Sequence, residues 1–322
     1  MKTARYLVPN DYMADPAVHV FDGKLYIYPS HDRESGIPEN DNGDHFDMAD
    51  YHVLSMDNID GAVTDHGVAL HVKDIPWAGR QLWDCDVARK HGKYYLYFPL
   101  KDKNDIFRIG VATADRPEGP FAPQPDPMRG AYSIDPCVLE ENGEHYLYFG
   151  GLWGGQLQRY HGNKALESAA LPADSEPALP PRVARLADNM LQLAEAPRPV
   201  LILGKDSKPL AHGDAQRRFF EASWVHKYRG KYYFSYSTGD THNLCYATGD
   251  SPYGPFTYQG VLLTPVVGWT THHAIVEFKG KWYLFHHDSV PSGGRTWLRS
   301  LKVVEMEYLP DGAIKTIEGG GA

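Results

Sequence analysis

The chain has 322 residues, 42% of them hydrophobic, enough to bury a large core and too apolar for a disordered segment. Lys and Arg number 32 against 41 Asp and Glu, and the resulting net charge of −9 argues against a nucleic-acid partner or an anionic membrane and favours a neutral substrate. Cys85, Cys137 and Cys245 are odd in number, widely spaced and without a C-x-x-C pair, so neither a disulfide framework nor a zinc site is indicated and a reducing compartment follows.

The N-terminal stretch MKTARYLVPNDYMADPAV has no apolar run long enough for a signal peptide, and no later segment approaches membrane-spanning length. A soluble, cytoplasmic chain is expected. The first element, ADPAVHVFDGKLYIY from Ala14, alternates apolar and polar residues on both sides of a glycine turn and predicts a β-hairpin. A polar, acidic loop follows, SHDRESGIPENDNGDHFDMADYH, carrying Asp44, His45 and Phe46.

The hairpin pattern then returns four times: WDCDVARKHGKYYLY from Trp83, SIDPCVLEENGEHYLYFGG from Ser133, FEASWVHKYRGKYYFSY from Phe220 and THHAIVEFKGKWYLF from Thr271. Aligned on Gly23, Gly92, Gly143, Gly230 and Gly280, every copy has tyrosine three residues later and Val or Ile five residues earlier. The phrases ATADRPEGPFAPQ and ATGDSPYGPFTYQ recur after the second and fourth copies, with Phe121 and Phe256 as packing residues. Two stretches break the pattern in the third unit: the Ala/Pro-rich insertion KALESAALPADSEPALPPR, and RVARLADNMLQLAEAPRPV, which holds the one plausible short helix.

Copies spaced roughly 50 to 90 residues apart, each long enough for a four-stranded sheet that cannot bury both faces alone, predict an all-β, five-bladed β-propeller forming a single domain over residues 1–322. The inner strands of a propeller converge at their starts on one central pocket. Eight residues before each turn glycine stand Asp15, Asp84, Asp135, Ala222 and His272, with Glu221 one position before Ala222. Singly, Asp15 and Asp135 read as strand-entry caps beside proline. Glu221, set between aromatics in FFEASW, reads as functional, because an unpaired buried carboxylate is expensive. Asp84 and Asp86 both read as structural hydrogen-bonding residues. His272 and His273 are expected on opposite faces of a strand, with His272 turned to the pocket.

As a set, ADPAV, LWDCDV, SIDPCV, FFEASWVHKYRGKYYFSY and THHAIVEFKGKWYLFHH resemble family 43 of the glycoside hydrolases, and the likeness runs through nearly the whole chain. The resemblance implies an inverting mechanism with Asp15 as general base, Glu221 as general acid and Asp135 as the carboxylate that tunes the acid. It also implies a Ca2+ ion on the propeller axis through His272, with water supplying most of the coordination. FEAS stands where many members carry Glu-Gly-Pro, and WDCDV where many carry Trp-Ala-Pro-Asp-Val; neither change removes a catalytic carboxylate.

Trp83 is chosen as a stacking platform for the sugar, against its reading as a core residue, and Arg295 and Phe46 as substrate contacts. The expected activity is release of xylose from the ends of β-1,4-xylo-oligosaccharides, with α-L-arabinofuranosidase side activity. An arabinofuranosidase acting on side chains and a non-catalytic sugar-binding propeller stand as alternatives. The expected partner is a small oligosaccharide, without nucleic acid or membrane, and a homo-oligomer is left open.

Overall fold

The computed structural model describes residues 4–269 and 272–321; Thr271, which opens the fifth repeat, lies outside them. Five antiparallel sheets, each built outward from one of the repeated hairpins, form the five blades of a β-propeller. The first blade runs Met13–Phe21, Lys24–His31, Asp50–Met56, Thr64–His71. The second is Asp86–Lys90, Lys93–Asp102, Phe107–Ala114, Ala122–Pro123, with Ala78–Arg80 added along Lys93–Asp102. Cys137–Glu141, Glu144–Phe149, Arg182–Arg185 and Arg198–Pro199 make the third. The fourth is Glu221–Tyr228, Lys231–Ser237, Leu244–Gly249 and Phe256–Leu263, with Ile202–Leu203 parallel at its edge. The fifth holds Ala274–Phe278, Lys281–Asp288 and Ser300–Met306, and its outer strand is Arg5–Tyr6. That N-terminal strand pairs Arg5 with Val303 and so closes the ring between the two chain ends.

The repeat has a backbone cause. In all five hairpins the strands are joined by two residues, both left-handed: Asp22-Gly23, His91-Gly92, Asn142-Gly143, Arg229-Gly230 and Lys279-Gly280, with φ between 47° and 80°. A two-residue loop with both φ values positive matches the right-handed twist of the flanking strands, and the second position strongly favours glycine. This loop also fixes register. Val18, Val87, Val138, Val225 and Ile275 each sit opposite the apolar residue four past the glycine, and all five are buried.

Among the described residues the only helical turns are three short 3-10 segments, at Val72–Asp74, Trp153–Gly155 and Leu157–Arg159. The helix expected within 182–200 is therefore absent. Val183 and Ala184 are claimed by the ladder with Glu144–Phe149, Leu186 continues it by donating to the His145 carbonyl, and a tight turn folds Met190 into the core. Sheet pairing overrides local helix preference there. No helix among the described residues is long and apolar enough to cross a membrane.

Candidate active site

The inner strands begin at one end of the ring, around a cavity of ≈ 210 Å³. Its size is below that of sites for drug-sized ligands and suits a ligand of one small ring better than a polymer. Asp15, Asp84, Asp135, Glu221 and Arg299, all buried, form its floor. Phe46, Met48, Trp83 and Ile134 form one apolar group in its lining, and Trp153, Phe220 and Trp269 form a second, aromatic group. Exposed Glu39, Asn40 and Asp41 stand at the rim.

The strand starts carry a shared distortion. Asp15, Asp135 and Ala222, at the same repeat position, have φ of 50°, 57° and 66°, and the pairing register slips beside two of them, between Ala14 and Ala17 and between Glu221 and Trp224. Bulges of this kind re-aim a side chain off the regular alternation of a strand. In the fourth blade the offset delivers Glu221 to the pocket in place of the residue after it.

Asp15 faces a cation and a hydroxyl donor. Its Oδ1 accepts from Arg299 at 2.8 Å, its Oδ2 from Ser30 at 2.7 Å, and Asp32 holds the same guanidinium through contacts of 2.7 and 2.9 Å. The Asp15 N–H donates to Nδ1 of His287 at 3.2 Å, which puts that ring's proton on Nε2, 3.2 Å from the Trp269 carbonyl. Burial pushes His287 down to about 4, consistent with a neutral ring.

Glu221 has the opposite surroundings. Burial, then the charges of Asp84 and Asp15, push its carboxyl up to about 8, against the Nε1–H of Trp269, which donates to Oε1 at 2.7 Å. Asp135 accepts from the Ala222 N–H at 2.5 Å and is itself held well above the carboxylate range by burial and by the Asp84 charge. Asp135 and Glu221 also act on each other by charge, so ionising either raises the other, and Asp135 bonds the backbone N–H next to the acid.

Asp84, read from sequence as structural, lines the pocket with its Oδ2 2.8 Å from Nδ1 of His272. Burial works against its ionisation; the hydrogen bond from Asp135 and the His272 charge overcome it and leave Asp84 below the usual range. Asp86 is the structural member of the pair, bonding its own blade at Val87 N, the next blade at Val138 N, and His19. His272 and His273 precede the strand: His272 meets Asp84, and His273 lies 2.6 Å from the Ser235 hydroxyl. Ligand atoms of Asp84, Asp135 and His272 lie within 4.8 Å of one another. Asp135 Oδ1 and His272 Nε2 are buried and lack a hydrogen-bond partner among the described residues. A hard cation completed by water fits this set once Asp135 and His272 give up their protons to it, with Asp84 already a carboxylate.

Trp83 and Phe46 line the pocket together, the Trp83 Nε1–H donating to the Phe46 carbonyl at 2.8 Å, and Trp83 also packs 4.7 Å from the Phe107 ring, so platform and core readings describe one side chain. Phe46 comes from the acidic loop, which forms the wall expected of it, while Asp44 turns away to Arg80 and Lys101. The loop seats on the third blade at Gly154, where a Cβ would come within 2.5 Å of the Asn42 carbonyl oxygen. Arg295 does not line the cavity. It is exposed, bonded to the Ser292 carbonyl and to Glu34, and the arginine in the floor is Arg299, four residues on. Trp153 and Trp269 lie in connections that no repeat marks, and Phe220 stands just before the fourth inner strand.

The model of the family described as Glycosyl hydrolases family 43 matches residues 64–314. A protein of Bacteroides ovatus named Xylosidase/arabinosidase is 74% identical over 322 residues, covering 99% of both chains. The solved structure of RS223-Beta-xylosidase is 72% identical, with a TM-score of 0.97 and 99% of each chain covered. A β-xylosidase/α-arabinofuranosidase from a compost microbial metagenome, solved with xylotriose in a calcium-free form, is 60% identical with a TM-score of 0.97, covering 99% of this chain and 98% of the other. With the propeller, the convergent acids and a family match over most of its length, this chain belongs to family 43 of the glycosyl hydrolases.

Proposed function

We propose that this chain is an exo-acting β-xylosidase that releases xylose from the non-reducing ends of β-1,4-xylo-oligosaccharides by inversion, and that it also accepts α-L-arabinofuranosides. The observation that carries the reading is the unlike treatment of two carboxyl groups on one small pocket: Asp15 against Arg299, and Glu221 against Trp269. The paired names of the 74% identical relative, and the xylotriose bound by the metagenomic enzyme, support the choice of sugars.

In this mechanism Glu221 gives its proton to the glycosidic oxygen as the C–O bond breaks. The Trp269 N–H occupies Oε1, so the acidic proton resides on Oε2. Asp15 takes the proton of a water that attacks the anomeric carbon from the other side, in one displacement. Arg299 and Ser30 fix the orientation of the Asp15 carboxylate. Asp135 positions the acid by bonding the Ala222 N–H next to it. Trp83, Phe46, Trp153, Phe220 and Trp269 all line the pocket, and flat rings of this kind cover the C–H faces of a sugar.

Asp84, Asp135 and His272 are the groups we assign to a calcium ion, which when bound would offset the negative charge gathered beneath the sugar. Proton NMR of the anomeric signals in the first minutes of β-xyloside hydrolysis tests the whole reading. Initial release of α-xylose is expected. Initial β-xylose would mean two displacements and a nucleophilic Asp15, and binding without turnover of either aryl β-xyloside or aryl α-arabinofuranoside would leave a sugar-binding protein.

A further inference from the structure

On the face of the first blade turned away from the pocket, three side chains aim ligand atoms at one point, and strand alternation puts them there. In Lys24–His31, Ser30 bonds Asp15 while His31 points the other way. In Asp50–Met56, Tyr51 is buried and bonds the Trp83 carbonyl, while Asp50 and His52 share the outer face. Nδ1 of His31 is 2.7 Å from Asp50 Oδ1, Nε2 of His52 is 3.8 Å from the same oxygen, and the ligand atoms of all three groups lie within 4.8 Å of one another. A tetrahedral zinc with bonds of about 2.0–2.1 Å sets its ligand atoms roughly 3.3 Å apart, so the observed 2.7 and 3.8 Å straddle the required spacing.

A second observation concerns the far side of each ring. Nε2 of His31 is 3.3 Å from Asp11 Oδ1, and Nδ1 of His52 is 3.0 Å from Asp65. Both carboxylates are themselves anchored, Asp11 by the Tyr12 N–H and Asp65 by the Gly67 N–H. A neutral histidine that donates its outer N–H to a fixed carboxylate presents its inner nitrogen as a lone pair, and such carboxylate–histidine pairs are the usual support of a metal ligand. Without an ion the 2.7 Å contact is a hydrogen bond from His31 Nδ1–H to Asp50, and an entering cation takes the place of that proton.

We propose that His31, Asp50 and His52 form a binding site for a divalent ion of the zinc type, with water in the fourth position. Two imidazoles and one carboxylate favour Zn2+, Co2+ or Ni2+ over Ca2+. The side chains are 13–26% exposed, which leaves a path for the ion and its water. The role is structural: the same strand ends carry Ser30 and Asp32, which hold Asp15 and Arg299, so the ion pins the blade from behind the pocket.

The test is titration of chelator-stripped protein with Co2+, read by its visible d–d absorption, and with Zn2+ by calorimetry. One equivalent bound on this face and a raised melting temperature are expected, with His52→Gln and Asp50→Asn each weakening the ion by about 10-fold or more and His272→Gln leaving it in place. Absence of binding by about 1 mM ion, unchanged affinity in either outer-face variant, or binding that disappears only in His272→Gln overturns the proposal. Should a variant fail to fold by circular dichroism, the anomalous signal of a Zn2+-soaked wild-type crystal decides: a peak between the three ligand atoms supports the site, and its absence refutes it.

Discussion

Asp15 and Glu221 leave bulged strand starts on two different blades and enter the same cavity, yet their surroundings differ in almost every respect. Asp15 meets a guanidinium and a hydroxyl; Glu221 meets an indole N–H, the aromatic edges of Phe220 and Trp269, and the fields of other carboxylates. The backbone device belongs to the repeat. The electrostatics do not, since Arg299 and Trp269 come from segments outside the repeated hairpin strands. One repeated scaffold thus delivers two carboxyl groups, and the non-repeated partners give them the opposite surroundings that the proposed acid and base require.

The largest expected effect breaks that division at the base. Asp15→Asn keeps size and the Ser30 contact and removes the acceptor for the water proton, so kcat should fall by about 10²–10⁴-fold on substrates with poor and good leaving groups alike. Glu221→Gln should lose a similar factor on xylo-oligosaccharides and far less on an aryl xyloside whose leaving group needs little protonation. Steady-state kinetics on both substrate types checks the pair, and a reversed pattern would exchange the two roles.

The contrast also explains what was legible in the sequence. Asp15, Asp135 and His272 could be found because alignment on the turn glycines lines up strand starts that the fold brings together, and Glu221 was found one position off because the bulge displaces it. Asp84 and Asp86 look alike in LWDCDV, and only the structure separates the pocket residue from the one bonding Val87 and Val138. Arg299 sits where the chain enters a blade's third strand, and Trp269 and Trp153 lie in connections, so no periodicity marks them. Arg295, the arginine the sequence offers, bonds Glu34, whereas Arg299 bonds Asp15; no sequence feature near a strand end tells which carboxylate will claim an arginine.

A smaller effect concerns stability. Glu221 is pushed up to about 8, so between the ordinary carboxyl range and pH 8 the folded chain keeps a proton that the unfolded chain has released. Stability from this group is therefore lost as pH rises through that window, and the penalty is complete above pH 8. Glu221→Gln cannot ionise, and its melting temperature relative to wild type should climb between pH 5 and pH 9, on the order of a few °C. An unchanged difference across that range would mean that burial does not hold the acid neutral.

The smallest effect sharpens the comparison at the Trp269 contact. The indole N–H stabilises the ionised form of Glu221, opposing burial and the neighbouring carboxylates. Trp269→Phe keeps much of the aromatic wall and removes that donor, so the Glu221 pKa should rise further and the basic limb of the kcat/KM profile should move to higher pH by a few tenths of a unit up to about one unit. Because Oε1 also loses the contact that leaves the proton on Oε2, kcat should fall by about 10-fold on poor leaving groups and less on good ones. A limb that moves down would mean that Trp269 donates chiefly to the neutral carboxyl. A limb that stays still while kcat falls equally on both substrate types would reduce Trp269 to a wall of the pocket, and Glu221 would owe its protonation to burial and to the neighbouring carboxyl groups.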